Sequence, residues 1–273
     1  MGKIKKGMFY TIGFLLLSGI IIGFAILLTT NNISETITIV SATDKANEMV
    51  LSIQDGFNKI FDKKSGISVS SIGTSITFEE DLPNNNATYF KNYLDSYKSF
   101  IESKNISILL STGELKTYLP LKIKPHNIEY RHLNYGDSKI NISAVSNNFG
   151  GYSLTVYVDP IHLEPHCTTS GGNQSIYISV DVYRSGQPNS WCNLNKRFIK
   201  KVNITGNLPN PQIAVLELNG NDLTITSFQQ ISVKTTIENL NNLGKKSIVF
   251  PDGLIYLNYS DFNIVKNTTV NLL

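Results

Sequence analysis

The stretch MGKIKKGMFYTIGFLLLSGIIIGFAILLTTNN at the start constrains this chain more than anything after it. Lys3, Lys5 and Lys6 are the only charges before Glu35. The uncharged run from Met8 to Leu28, roughly 21 residues at 1.5 Å each, spans about 31 Å, the thickness of a bilayer's hydrocarbon core. Leu, Ile and Phe dominate it, and at −0.3 to −0.6 kcal/mol each they favour insertion by several kcal/mol, roughly. Gly13, Gly19 and Gly23 are tolerated, because lipid offers the backbone no partner other than the helix itself, and they allow a second helix to approach closely. Three readings compete: a signal that is cut away, an anchor that stays in lipid, and a helix that polymerises. A secretory signal has a shorter apolar core and a small-x-small cleavage site, and "LLTTNN" lacks one. The expectation is retention, with residues 8–28 in lipid. The lysines keep the N-terminus cytoplasmic and leave the rest of the chain as an extracellular head.

The next segment contains no Pro, and Gly56 is its only Gly as far as Phe61. Ala46, Val50, Ile53, Phe57 and Ile60 follow one another at steps of four and three, one face of an amphipathic helix. The β-branched run Thr36–Val40 weakens the link between the two parts. Asn32 or Ser34 could cap a new helix there, or the first could run on to make one helix of about 50 residues. A basic leader, then KKGM (Lys5 to Met8), then an apolar segment leading into an amphipathic helix and a strand-rich head resembles the type IV pilin-like proteins of archaea. That resemblance covers roughly residues 3–60. It implies cleavage between Gly7 and Met8 on the cytoplasmic side, retention of the apolar helix, and self-assembly or association with other pilin-like or envelope proteins. Ile12 stands where that family carries a Glu five residues into the mature chain.

Only 16% of the 273 residues are charged and the net charge is +3, with the lysines scattered, so no nucleic-acid surface is expected. N-x-S/T sequons occur at Asn32, Asn86, Asn105, Asn141, Asn173, Asn203, Asn258 and Asn267, and on an external head they read as glycosylation sites. Cys167 and Cys192 form a pair with no third thiol, which outside the cell reads as one disulfide. The competing reading is a metal site, since HLEPHC sets His162 and His166 beside Cys167, with Cys192 to complete the shell. Pro165 breaks any helix that would align the two histidines, and the disulfide is preferred.

The remainder predicts an α+β, mostly β chain: the long N-terminal helix, then an antiparallel β-sandwich-like head. Residues 1–62 form the leader and helices, 63–135 a small α+β layer, and 136–273 the sandwich. Two short runs meet near Gly73, with Ile67 and Val69 on one arm and Ile76 and Phe78 on the other. Phe90, Tyr93, Leu94, Tyr97, Phe100 and Ile101 predict an amphipathic helix of about 15 residues with a core-facing stripe. Ile176, Ile178, Val180 and Val182 alternate with Tyr177, Ser179, Asp181 and Tyr183, the signature of a half-buried strand. Asn219-Gly220 between two such runs predicts a hairpin.

Catalytic signals are missing from this pattern. No G-x-S-x-G elbow, phosphate loop, dinucleotide fingerprint or H-E-x-x-H occurs, so no enzyme and no cofactor are expected. FEEDLP offers Glu79, Glu80 and Asp81, which read as a solvated turn. The Gly-, Ser- and Asn-rich stretches around the cysteines read as a stapled loop pair; Trp191 beside Cys192 reads first as core packing against the disulfide, and a binding tip, if the head has one, is expected here with Tyr183, Arg184 and Trp191. The functional expectation is an anchored, pilin-like surface protein that assembles or adheres. The alternative is an extracytoplasmic sensor or solute-binding subunit working through a partner membrane protein.

Overall fold

A computed structural model describes residues 3–103, 107–111, 120–124, 126–133, 138–145, 149–160, 164–207, 211–240, 247–259 and 264–271. Helix α1 runs unbroken from Lys3 to Lys64, 62 residues or about 93 Å. It crosses the β-branched run without a break. Thr29, Thr30, Thr36, Thr38 and Thr43 each donate their hydroxyl to the carbonyl four residues earlier, so these side chains are satisfied by the helix that propensity alone would discourage. The helix stops at Gly66, whose φ of +72° ends it in the left-handed region. A Cβ at Gly66 would lie 2.8 Å from both Asn84 Oδ1 and Asn86 Nδ2, so both backbone and space require glycine.

The head contains strands β1 (Ile67–Ile72), β2 (Ser75–Leu82), helix α2 (Ala87–Glu102), β3 (Ser107–Ser111), β4 (Leu121–Lys124), β5 (Ile128–His132), β6 (Lys139–Ala144) and β7 (Gly151–Val158). It continues with β8 (His166–Ser170), β9 (Tyr177–Arg184), β10 (Ser190–Arg197), β11 (Lys201–Thr205), β12 (Gln212–Asn219), β13 (Asp222–Ser227), β14 (Ile231–Glu238), β15 (Ser247–Tyr259) and β16 (Ile264–Asn271). The smaller sheet has the order β1-β2-β14-β7-β9-β10, and the larger β16-β15-β4-β5-β6-β13-β12-β11-β8, with β3 also paired to β15. One hydrophobic core fills the space between them. Phe78 of β2 and Tyr130 of β5 stack across it with ring centroids 4.1 Å apart. The C-terminal half of α1 buries Ala42, Ala46, Val50, Ile53, Phe57 and Phe61 against the head.

The predicted β1–β2 hairpin forms around Gly73, with Ile72 opposite Ser75. The β12–β13 hairpin forms one residue later than its Asn-Gly signal: Asn219 pairs with Asp222, and the loop is Gly220-Asn221 with Gly220 at φ +62°. Residues 63–135 do not make a layer of their own. β1 and β2 join β14 in the smaller sheet, while β4 and β5 join β6 in the larger. Period-2 patterning fixes which side of a strand is apolar and leaves the choice of partner strand to long-range packing. One pair is parallel, β7 with β9, because the intervening β8 leaves to edge the other sheet and the chain re-enters in the same direction. The α2 stripe also divides. Phe90, Leu94 and Ile101 are buried, whereas Tyr93 and Phe100 are exposed. Tyr97 reaches α1, its hydroxyl donating to the Ile53 carbonyl at 3.2 Å. The six positions were too many for one face of so short a helix.

Candidate functional site

The described residues carry three features with chemistry in them: an exposed apolar shaft, a stapled sheet edge and a buried polar cluster. On the shaft, α1 is long and apolar enough to cross a membrane, with a window of mean hydropathy 1.8, none of it buried. Gly7, Met8, Gly13, Gly19 and Gly23 all lie in α1, and a Cβ at Gly19 or Gly23 would meet nothing within 4 Å. Of the sequon residues, Asn32, Asn86, Asn173 and Asn267 are exposed, Asn141, Asn203 and Asn258 half-buried, and Asn105 lies outside the described residues.

Cys167 and Cys192 are joined, with Cα atoms 6.0 Å apart. They lie in strands rather than the expected loops: β8 edges the larger sheet and β10 the smaller, so the bond closes the sandwich along one side. Only Cys167, Cys192 and Leu194 of these edge strands pack against the core and the other residues are exposed, so the apolar alternation is too short to mark a strand and their composition reads as loop. The bond takes Cys167 out of any metal shell. His166 is exposed in β8, His162 lies outside the described residues, and no grouping of three His, Cys, Asp or Glu suited to a metal is found among those described. Replacing both cysteines with alanine should lower stability by about 3–4 kcal/mol. That corresponds to a melting temperature lower by roughly 6–16 °C in thermal unfolding of the full chain. A change near zero would mean that strand pairing alone holds the two edges.

Beside the staple, Tyr183 of β9 stands opposite Tyr157 of β7, and their rings stack at 5.6 Å on the outer face of the smaller sheet. Trp191 falls where the β9–β10 register slips between Ser190 and Cys192, and it is 44% exposed rather than packed into the core. Arg184 is half-buried at the end of β9. One register step in, Asn193 donates to Asp181 at 2.6 Å. At the far end of the same face, the Tyr177 hydroxyl donates to Glu238 at 2.5 Å and accepts from Asn239 at 3.1 Å. Burial, the Glu238 hydrogen bond and that carboxylate's charge push the Tyr177 phenol up to about 12. Tyr183 and Arg184 end β9 and Trp191 lies in the neighbouring edge strand β10, but successive residues of a strand face opposite ways, so Arg184 does not share the outer face on which Tyr183 stacks.

The third feature overturns a sequence expectation. The FEEDL part of FEEDLP, Phe78 to Leu82, is the second half of β2 and not a solvated turn: Glu79 and Asp81 point to solvent, and Glu80 is 3% exposed among core residues. Its carboxylate accepts the Tyr130 hydroxyl and, at 3.1 Å, the Asn84 side-chain amide, which also donates to the Ser65 carbonyl at the end of α1. His132 Nε2 lies 2.8 Å from Glu80 Oε2, poorly aligned for a hydrogen bond, and the contact is an ion pair whenever the imidazole carries its second proton. Burial, with the adjacent Glu80 charge and hydrogen bond, raises the Tyr130 phenol well above its ordinary value, so it remains a donor. The cluster joins one strand of each sheet to the end of the shaft. The I-F-E-L alternation of residues 76, 78, 80 and 82 was the signal that Glu80 faces the core. It lies below the surface, and its evident work is positional.

No protein-family model, no curated protein and no solved structure matches the chain.

Proposed function

We propose that this chain is a single-pass, membrane-anchored surface protein whose head stands outside the cell and works by assembly or adhesion, without catalysis. The observation that carries the reading is the continuity of α1: one helix is bare and apolar at its start and forms part of the head's core at its end. Such a rod transmits position and force rigidly between lipid and head. The lysines at 3, 5 and 6 put the N-terminus in the cytoplasm, and the disulfide fits an oxidising exterior. The exposed sequons at Asn32, Asn86, Asn173 and Asn267 are the ones we expect to carry glycans. The pilin-like reading adds cleavage between Gly7 and Met8.

The test is the intact mass and N-terminal sequence of the protein taken from membranes and from sheared surface material, for the wild type and for Gly7→Leu. A wild-type chain starting at Met8 in sheared material, with Gly7→Leu left unprocessed in the membrane, is the expected result. A wild-type chain starting at Met1 and confined to membranes leaves a plain anchored ectodomain and removes the pilin-like part. Recovery in the soluble fraction alone removes the anchor.

A further inference from the structure

The chain's net charge is not spread evenly over the head. Between Pro165 and Leu216 five lysines and arginines stand against a single acid, Asp181, so this stretch alone carries +4 where the whole chain carries +3. Four of the five, Lys196, Arg197, Lys200 and Lys201, fall within six residues where β10 ends and β11 begins. Lys196, Arg197 and Lys200 are exposed and Lys201 is half-buried, and among the described residues none of the four is ion-paired. Three acids lie on neighbouring elements. Asp181 accepts from Asn193 and Glu238 from Tyr177, while Glu217 stands across the ladder from Lys201 and offsets that one charge. Topology sets the place of the cluster: α1 packs against α2, β1, β15 and β16, so β8 and β10 edge the side of the sandwich farthest from the shaft. The backbone there is unusual as well. Leu194 pairs with Val180 and Arg197 with Ile178, so β10 carries one residue more than β9, and Lys196 takes a φ of +43°, a conformation rare for a residue with a side chain. Lys196 Nζ lies 5.1 Å from the centroid of the Tyr177 ring, and Phe198, 52% exposed, meets the same ring edge to face at 6.3 Å.

We propose that this corner of the head binds an anionic polysaccharide, with Lys196, Arg197 and Lys200 on its acid groups and Phe198 against the C–H face of a sugar ring. Lysines on an edge strand have an ordinary use, which is to stop another sheet from pairing with it. That use does not call for an exposed phenylalanine inside the basic run, which favours such pairing, nor for a bulge that sets a lysine in a left-handed conformation on an aromatic face. Uncompensated cations call for an anionic partner, and the open ring chooses among anionic partners. An acidic protein surface meets the charges and leaves the ring unused, whereas a lipid surface calls for a row of apolar side chains to insert beside the cations. A pyranose offers both complements at once, a flat C–H face and, when acidic, a fixed charge at its rim. A second exposed aromatic, Trp191, stands on the same strand about 20 Å from Phe198 at 3.3 Å per residue, a span of several sugar rings, which fits a polymer better than a single sugar.

The inference rests on the adhesive reading above and names the chemistry that the head would contact. The full chain in an uncharged detergent is passed over immobilised polygalacturonate, dextran sulfate and neutral dextran, and over vesicles of phosphatidylcholine with phosphatidylglycerol. Saturable binding to the two anionic polymers is expected, weakening as salt is raised, with none to neutral dextran. Lys196→Gln/Lys200→Gln should lower the affinity several-fold, whereas Lys63→Gln/Lys234→Gln, which removes the same charge from exposed positions elsewhere, should leave it close to the wild type. Phe198→Ser alters no charge and should also weaken binding several-fold, and Phe198→Tyr, which keeps the ring, should restore it. Thermal unfolding of each variant separates lost binding from lost fold. Equal losses from the two double variants, or no loss from Phe198→Ser, reduces the attraction to net charge and overturns the site. Failure to bind either anionic polymer overturns it too, as does tighter binding to the anionic vesicles than to the polymers. Binding is read on purified protein and surface location by the fractionation above, so the two readings fail separately: a chain that binds but is not at the surface refutes the external placement alone, and a surface chain that binds neither polymer refutes the site alone.

Discussion

Glu80→Ala is expected to destabilise the head by about 3–5 kcal/mol, as removal of one partner from a buried charged cluster does. The loss follows from what is left behind rather than from the bonds removed. Tyr130, Asn84 and His132 are each at most 2% exposed and all face the one carboxylate, so alanine strands the Tyr130 hydroxyl, takes one of two acceptors from the Asn84 amide and removes the charge beside His132, where water does not replace it. The methylenes lost leave a void beside the Phe78–Tyr130 stack as well. Thermal unfolding of the full chain in detergent measures the effect, and a drop of roughly 6–20 °C corresponds to that range for a body of this size. Glu80→Gln keeps the shape and one acceptor oxygen, and should cost clearly less. His132→Ala combined with Glu80→Ala should cost less than the two singles added, because each single leaves the other's group unpaired. A double variant that is strictly additive would mean that the 2.8 Å contact carries no coupling.

The contrast between Glu80 and the rest of β2 marks how far the sequence could be read. Helix, hairpin and strand signals are local, and they appear where residues a few positions apart decide the outcome: the α1 face at Ala46, Val50, Ile53 and Phe57, the turn at Gly73, the strand from Ile176 to Val182. What escaped was set by groups distant along the chain. Glu80 meets His132 only because β2 and β5 face one another across the core, and a run of three acids looks like a solvated turn until its register is known. The β8 and β10 edges read as loops for want of alternation, so the staple was legible as a cysteine pair and its place in two strands was not. The α2 stripe was over-read for the opposite reason, since aromatics on both faces of a helix mimic one wide face.

Phe57→Ala is the second large effect expected, at about 3–5 kcal/mol, the usual cost of deleting a buried ring. Phe57 is fully buried, with ring centroids 4.8 Å from Phe250 of β15 and 6.2 Å from Phe90 of α2, both edge to face. Phe61 repeats the pattern one turn on, 5.4 Å from Phe250 and 5.8 Å from Phe90. These four rings are the joint between shaft and head, so losing one loosens α1 before it unfolds the sheets. The distinguishing readout is limited proteolysis of the full chain: cleavage between about residues 42 and 61 should rise well before the strands become susceptible, whereas Glu80→Ala should expose shaft and sheets together. Phe57→Leu should recover much of the loss by refilling volume without the edge-to-face geometry, and a double-mutant cycle with Phe90→Leu should isolate a ring–ring coupling of about 0.5–1.5 kcal/mol. If Phe57→Ala instead leaves residues 42–61 as resistant as in the wild type, the joint lies in the α1–β16 contacts made by Gln54 and Asn58, whose side-chain amides both donate to the Asn271 carbonyl. Force or position carried along the shaft would then enter the head through the last strand, not through the aromatic cluster.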